Sequence, residues 1–597
     1  MTNAYTIKTD GFGGRGAYPW TYLAEPFRAT ALAVEGPVAG ASYRWTIDGV
    51  VVGFGAALDV TFTSVGDHAM HVERLTSKLA GGQWSSSLSS GDEAETTTVT
   101  SVAVRVMVKY VRREVRRLTD ADREAWLSAV QVLQHVPTSA GQELYGINYY
   151  SKDHFTRLHL YYGGARECDH WHGGAGFVTS HVALTLMWEQ ALQSVNPTVA
   201  APYWDFTLDS TFYGASDWAT SFVFSDDWFG EASPANDLHA TVSGRFGFVF
   251  TLCDASEYSA LVNSYGLMRA PWNNDPTPFL TRSGFTYGYA NNLKPSGCSE
   301  YAAVAKLTSW MALSAQLNFA AHGHIHELVG GSWNHYFETD ARGATSPALF
   351  TFLHQIETLA KMLWRAGYVT CPDTCHMATP SADCMCVANE AALGNKPAGQ
   401  VLHEAGVLSV AEFYDSGFHS LTPSDFLDAT NAYKPVLEGY TEAESTHVYE
   451  KLLDVLVNPG HIGDMYQATS SNDITFWTIH LTLDRLWHFK RLGNMATYND
   501  TWGVIDTCYG NNPQDVQPFK NLFGETGSGA YAATSFSLLR DANAVTLEAP
   551  PATKPDTYYT NMDLYGLLHP ASRKLQYVYD NFNWPHCEAT GFPITTS

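Results

Sequence analysis

The chain has 597 residues, too many for one hydrophobic core, so two or more domains are expected. Its 60 acidic and 35 basic residues give a net charge of -25, spread along the chain, which argues against binding nucleic acid or an anionic membrane surface. No apolar run approaches about 18 residues, so no membrane-spanning helix is expected, while 45% hydrophobic and 13% aromatic residues suffice for a large packed interior.

The opening residues, Met1-Thr-Asn-Ala-Tyr-Thr-Ile-Lys8, lack the charged and apolar leader of a secretory signal. Gly11-Phe-Gly-Gly-Arg-Gly16 precedes no strand-then-helix pattern and reads as a loop with no nucleotide implied. Short alternating runs then recur at Phe27–Val34, Ser42–Ile47, Leu58–Phe62, His68–Glu73 and Thr96–Val106. Turn pairs such as Asp48-Gly49 and Gly66-Asp67 separate them. The spacing predicts a small all-β sandwich over residues 1–108, with Gly81–Gly91 as an exposed hairpin loop. Tyr43-Arg-Trp45-Thr-Ile-Asp48-Gly49, followed by Gly66-Asp67-His68, resembles an immunoglobulin-like module of the polycystic-kidney-disease type, a resemblance that carries no chemistry.

The composition changes at Arg112–Leu118, and residues 109–597 read as mainly α with long loops. Thr119 is an expected N-cap, with Asp120 and Asp122 favoured by the helix dipole in the first turn. Helices are predicted over about 119–135, 149–162, 177–195, 302–328, 348–366 and 474–491. Residues 200–300 and 368–445, rich in Gly, Pro, Asp and Ser, read as irregular loops with short elements. Trp188, Trp204 and Trp487 are expected to pack in the core. The sequon Asn499-Asp-Thr501 alone decides little.

There are nine cysteines: Cys168, Cys253, Cys298, Cys371, Cys375, Cys384, Cys386, Cys508 and Cys587. Four fall between Cys371 and Cys386 in a Pro/Ser/Thr-rich loop. Such a cluster points to a disulfide staple, hence to secretion or another oxidising compartment, with thiolate binding of zinc or copper as the alternative.

The histidines carry the chemistry. His322 and His326 are four residues apart, so on one helix their rings face the same way, and Gly330-Gly331 supply a stop. Two imidazoles are half a metal site; the third is taken from His480, in the aromatic stretch Phe476–Trp487. Asp484, one turn later, is placed to orient a ligand or to pair with Arg485. A second set is His172 and His181, bracketing a Gly-rich turn and the start of an apolar helix, with His159 upstream and His154 as the other candidate. Two sets of imidazoles on core helices suit a redox metal that activates oxygen.

His172 to His181 with Phe177 between, then Trp188-Glu189-Gln190 and Pro202-Tyr203-Trp204-Asp205, resembles the first copper site of tyrosinases, catechol oxidases and molluscan hemocyanins. His322-x-x-x-His326 with Asp473-Ile-Thr-Phe-Trp477, His480 and Asp484-Arg485-Leu-Trp487 resembles their second. Arg113–Glu124 resembles the family's opening helix, and Tyr577-Val-Tyr579-Asp580 its closing tyrosine motif, so the match runs from about 112 to 582. The resemblance implies a four-helix bundle holding two copper ions, each on three histidines, with molecular oxygen as co-substrate. The ligands it implies are His159, His172 and His181 for one ion and His322, His326 and His480 for the other.

The chain departs from the family pattern in several places. The gap from His326 to His480 is long, so a large Cys-rich insertion is expected around 327–473. Within it Ser346–Glu357 carries a decoy histidine, His354, but lacks the Asp-Arg that follows His480, and the choice falls on His480. Many monophenol-hydroxylating members carry Asn directly after the first ligand of the second site, thought to hold a water that deprotonates the phenol. Here that position is Gly323, which has no side-chain acceptor and shifts the expectation toward ready-made o-diphenols. In some members a cysteine forms a thioether to the second ligand of the first site. Cys168 is placed for such a link to His172, with a free thiol as the other reading. The remaining histidines are read as non-ligands: His324 facing away between two ligands, and His170, His335, His354, His376, His403 and His488 as polar surface or loop residues. His335 or His354 is the candidate wall of the pocket.

The expected function is therefore copper-dependent oxidation of small o-diphenols to o-quinones, with monophenol hydroxylation in doubt. Reversible oxygen carriage of the hemocyanin kind is the alternative, disfavoured by the absence of repeated copper units. The short stretch after Tyr579 leads to the expectation that no C-terminal cleavage is needed for activity.

Overall fold

The computed structural model describes the chain apart from residues 1–6, 10–16, 79–83, 86–95, 252–268, 270–271, 288, 291–293, 335–346, 373–378, 381–382, 415–419, 494–497, 505–507, 525–528, 531–556 and 597. The readings of Gly11–Gly16, most of Gly81–Gly91, Cys253, Cys375, His335 and His376 lie outside the described residues.

The N-terminal strands are β1 (Ile7–Thr9), β2 (Leu23–Ala24), β3 (Ala29–Val34), β4 (Ser42–Ile47), β5 (Val50–Phe54), β6 (Ala57–Thr61), β7 (Gly66–Lys78), β8 (Trp84–Ser85), β9 (Thr96–Val108) and β10 (Tyr110–Arg112). One sheet has the order β1-β3-β6 and the other β2-β9-β7-β4-β5, with β8 pairing β7. On β3 the buried side chains alternate, because successive residues of a strand point to opposite faces. Leu32 and Val34 of the first sheet thus share one core with Tyr43, Trp45, Met70, Val72, Val106 and Val108 of the second. The strand β5 was not expected. Val50-Val51-Val52-Gly53-Phe54 shows no alternation, and it forms an exposed edge of the sheet.

The helices are α1 (Asp120–His135), α2 (Thr138–Tyr145), α3 (Lys152–Gly163), α4 (Gly176–Val195), α5 (Phe206–Phe212), α6 (Gly214–Asp217), α7 (Cys298–Ala305), α8 (Trp310–Asn318) and α9 (Gly323–Gly330). They continue as α10 (Pro347–Arg365), α11 (Glu390–Leu393), α12 (Ala398–Glu404), α13 (Pro423–Phe426), α14 (Glu442–Val457), α15 (Ile474–Leu492), α16 (Asn561–Leu567) and α17 (Pro585–Ala589). Thr119 caps α1, its side chain accepting from the Asp122 backbone. The single helix expected over 302–328 is three helices. Ser309 ends the continuity by accepting from Ala312 N to cap α8, and the chain breaks again before His322. The span 368–445, read as loops with short elements, holds the short helices α11, α12 and α13, and α14, which was not expected, begins at its end.

Among the described residues, two large apolar cores lie in this part. The larger gathers side chains from α1, α3, α4, α8, α9 and α15, including Trp126, Leu158, Leu184, Leu317, Ile325 and Ile479. The second joins α10, α12 and α14 with Trp272 and Tyr287, through Phe352, Leu359, Leu402 and Leu452. Trp188, Trp204 and Trp487 pack in the first core as expected.

A buried charge network ties α4 to α15. Arg112 on β10 donates to Glu189 Oε2 of α4 at 2.6 Å and to Asp484 Oδ2 of α15 at 2.9 Å, and all three side chains are out of solvent. Tyr577 and Tyr579, on a strand paired in parallel with β10, donate their hydroxyls to the same Asp484 oxygen at 2.6 and 2.7 Å. Asp484 therefore pairs with Arg112 and not with Arg485, which reaches Asp205 at 3.0 Å. Neighbours on a helix point in different directions, so Asp484 and Arg485 could not face one another.

Candidate metal centre

Four of the six predicted ligands arrive on helices. His159 lies on α3, His181 on α4, His326 on α9 and His480 on α15. His322 is the N-cap of α9 rather than a residue within it, and His172 stands in the loop between α3 and α4. His322 and His326 still face one another, with ring centroids 5.0 Å apart. Gly331 follows at φ 65, where its N–H closes the last turn onto Glu327 O at 2.8 Å. At the start of α4, a Cβ on Gly176 would come within 2.1 Å of Gly510 O, so this close approach requires glycine.

The structure brings the six together as two triads. His159, His172 and His181 each offer a ring nitrogen within 4.8 Å of the others, and so do His322, His326 and His480. The triads adjoin through His181 and His480, whose rings stack at 4.8 Å. Two phenylalanines close over them. Phe177 lies 4.4 Å from His181 and 5.2 Å from His322, and Phe476 lies 4.3 Å from His480 and 5.0 Å from His159. A small cavity beside His181 and His480 is lined by Phe177, Val182, Leu317, Leu483 and Asp484.

The hydrogen bonds fix which ring nitrogen faces the centre. Nδ1 of His159 donates to Ala468 O at 2.6 Å and that of His181 to Phe177 O at 2.8 Å. In the second triad Nδ1 of His322 donates to Leu317 O at 2.9 Å and that of His326 to Met465 O at 2.8 Å. A carbonyl only accepts, so these Nδ1 atoms carry the proton and Nε2 carries the lone pair. Nε2 of His159 then meets Nε2 of His181 at 3.2 Å, two lone pairs facing one another, and Nε2 of His480 is buried without a hydrogen-bond partner. A cation in each triad would satisfy these lone pairs, so the donor sets fit a soft-to-borderline metal such as copper.

His172 differs. Its Nδ1 lies 2.9 Å from Asp169 Oδ1, and Asp169 Oδ2 accepts from Lys361 Nζ at 2.8 Å. Burial works to raise the Asp169 carboxyl, yet His172 and Lys361 hold it well below the usual carboxylate range. Burial, and then neighbouring imidazoles, push His181, His322 and His480 well below the ordinary histidine range. Burial likewise lowers His159 to about 3 and His326 to about 4. Neutral imidazoles are the form that binds a metal.

The remaining expectations fall as follows. His154 is buried against Tyr150 and Phe155 and belongs to neither triad. The decoy His354 lies on α10 against Glu327 and His324, outside the second triad, so the structure sets His480 there. His324 is exposed and faces away from the ligands, and His403 bonds Asn431 O at 2.7 Å near the surface. His488 is not a surface residue. It is fully buried on α15, stacked on Tyr577 at 5.4 Å, because that helix is enclosed on nearly all sides. His170 is also buried, its Nδ1 donating to Tyr509 O at 2.8 Å.

Cys168 forms a disulfide with Cys508, which removes the thioether to His172 because its one sulfur is already bonded. The ring beside that sulfur is His170, at 3.9 Å. Cys298 pairs with Cys587 and Cys371 with Cys386, and Cys384 is disulfide-bonded too, so the cluster is stapled and these sulfurs are not thiolate ligands. Asp169 and Lys361 were missed. A carboxylate three residues before His172 was visible in the sequence, but nothing marked a lysine 192 residues from it.

Residues 149–359 match the family model described as the common central domain of tyrosinase. This part of the chain is similar to the central domain of tyrosinases. The matched span holds five of the six triad histidines, and His480 lies beyond its end. The tyrosinase of Gallus gallus is 25% identical over 207 residues, 29% of this chain and 37% of that protein. A tyrosinase-like protein of Diaporthe leptostromiformis is 30% identical over 157 residues, 25% of this chain and 38% of that protein. The chain thus spans under two fifths of the length of these relatives. A solved tyrosinase structure from Burkholderia thailandensis covers 81% of this chain and 76% of its own at 15% identity, with a TM-score of 0.30. Among the described residues no helix is long and apolar enough to cross a membrane.

Proposed function

We propose that the two triads hold a pair of copper ions and that the chain oxidises small phenols with molecular oxygen, taking o-diphenols to o-quinones. The observation that carries this reading is the convergence of bare imidazole nitrogens from six buried or half-buried histidines, two of them only 3.2 Å apart. Bound copper supplies the exchange of electrons between oxygen and the phenol. The protein's part is to fix five of the imidazoles through their Nδ1 partners, to keep His159, His181, His322, His326 and His480 neutral by burial, and to exclude water with Phe177 and Phe476. We read residues 1–108 as an immunoglobulin-like β-sandwich ahead of a copper domain of bundled helices over 109–597, with 327–473 as an insertion built on the second core. The disulfides support an oxidising compartment.

Gly323 sets the preference for o-diphenols. A Cβ there would meet only Asn318 O, at 3.5 Å, so a side chain fits where none stands. Oxygen uptake is the test. The copper-loaded chain should consume oxygen steadily with catechol and little with tyramine, and Gly323→Asn should raise the tyramine rate while leaving the fold intact. Equal rates on both phenols in the parent would remove the Gly323 argument, and stoichiometric uptake that stops after one oxygen would indicate a carrier instead of an oxidase.

A further inference from the structure

The loop 164–175, which carries His172, is the one ligand support without helical structure, and it is gripped by the second core. Asp169 Oδ1 accepts from the backbone N–H of His172 at 2.8 Å and of Trp171 at 3.2 Å, besides facing the His172 ring. Its other oxygen accepts from Lys361 of α10. One turn further on, Arg365 Nε donates to Ala165 O at 3.0 Å and Nη2 to Gly163 O at 3.4 Å. Between them, Trp364 presents its ring to the Arg166 guanidinium at 4.6 Å. The other face of α10, through Phe352, Ile356 and Leu359, is committed to the second core.

The geometry points to Lys361 and Asp169 as positioning residues through which α10 sets His172 in the first triad. The inference rests on reading the triads as metal ligands. A carboxylate on the far nitrogen of a ligating imidazole fixes the ring's tautomer and direction and strengthens it as a donor. That carboxylate is almost out of solvent, with 14% of its side chain exposed, and would be costly to keep charged without the ammonium opposite. In the other triad His322 and His326 take backbone carbonyls at the same position, so they need no such support. The helix α10 thus reaches a ligand of the first triad through Asp169, whereas at α9 it meets Glu327 and His324 and no ligand.

The test is copper(I) titration of the full metal-free chain against a competing chelator, for the parent, Asp169→Asn, Lys361→Met and Lys361→Arg, each measured with the second triad intact and again with His480→Ala, which isolates the first triad. Asp169→Asn should weaken the first triad by about 10–100-fold. Lys361→Met should weaken it less, Lys361→Arg should restore it, and the second triad should keep its affinity throughout. Thermal melting separates misfolding from a local effect, and where Asp169→Asn fails to fold the Lys361 pair decides. Unchanged affinity in Asp169→Asn and Lys361→Met, or equal weakening of both triads in a folded variant, overturns the positioning role. A parent that binds no copper fails the reading of the triads themselves, whereas a parent that binds two with indifferent variants fails only the inference.

Discussion

The two triads reach the same donor set by different construction. In the second, His322 and His326 are set by one short helix and His480 by a long enclosed one, and the first two hold their tautomers by backbone carbonyls. In the first, His159 and His181 are set in that way, but His172 stands on a loop. That loop is tied by side chains: Asp169 and Lys361, the Cys168–Cys508 disulfide, and Asn318, whose side chain donates to His172 O at 2.9 Å. A helix carries its ligand on a hydrogen-bonded backbone, whereas the loop of His172 is held by side chains from distant parts of the chain. The first triad should therefore be the more easily disturbed from outside.

The largest effect expected is that of His480→Ala, which removes one ligand of the second triad outright. Copper content should fall from two to one per chain and catechol oxidation to background, with the first triad still occupied; retention of both ions would contradict the ligand assignment. Next comes Arg112→Met, which acts on both triads together, because Arg112 bridges α4 and α15. Leaving Glu189 and Asp484 buried without their cation should cost about 3–5 kcal/mol, read in denaturant unfolding. A loss under about 1 kcal/mol would mean that the network does little for the frame.

Cys168→Ser separates the triads again. Loss of the crosslink should lower stability by about 2–5 kcal/mol and release copper from the first triad before the second under a rising chelator concentration. Simultaneous release would show that the loop needs no tie on that side. The most gradual effect involves both triads. The folded-state values of about 3 for His159 and about 4 for His326 lie below the ordinary 6.5, so the folded metal-free chain binds fewer protons than the unfolded one. Their contribution is complete above pH 6.5 and is lost as pH falls toward those values, at about 1.4 kcal/mol per pH unit for each group. The melting temperature of the metal-free chain should drop steadily from pH 7 to pH 5, and a flat profile would argue that these rings are open to solvent.

Much of this site was legible in the sequence, for identifiable reasons. Histidines spaced to share a helix face, and a family pattern around them, picked all six ring positions, and the Asp-Arg after His480 separated it from His354. Helix breaks were less visible. The run from 302 to 328 has no Pro and no Gly before Gly323, and only the cap on Ser309 marks the first interruption. The helix α14 was missed although Thr441 and Glu444 form a reciprocal cap at its start. What no local pattern carries is contact across the chain. The Cys168–Cys508 bond spans 340 residues, the Lys361–Asp169 pair 192, and the Arg112–Asp484 pair 372. His488 was misplaced for a related reason: its polarity suggests a surface, but α15 is covered from every side by elements distant in sequence.

The most direct measurement is copper content of the loaded chain together with copper X-ray absorption. Two ions per chain, each with three imidazole nitrogens and no sulfur neighbour, is the expected result. One ion or none, or a sulfur scatterer that would return Cys168 to the site, would contradict the two-triad centre.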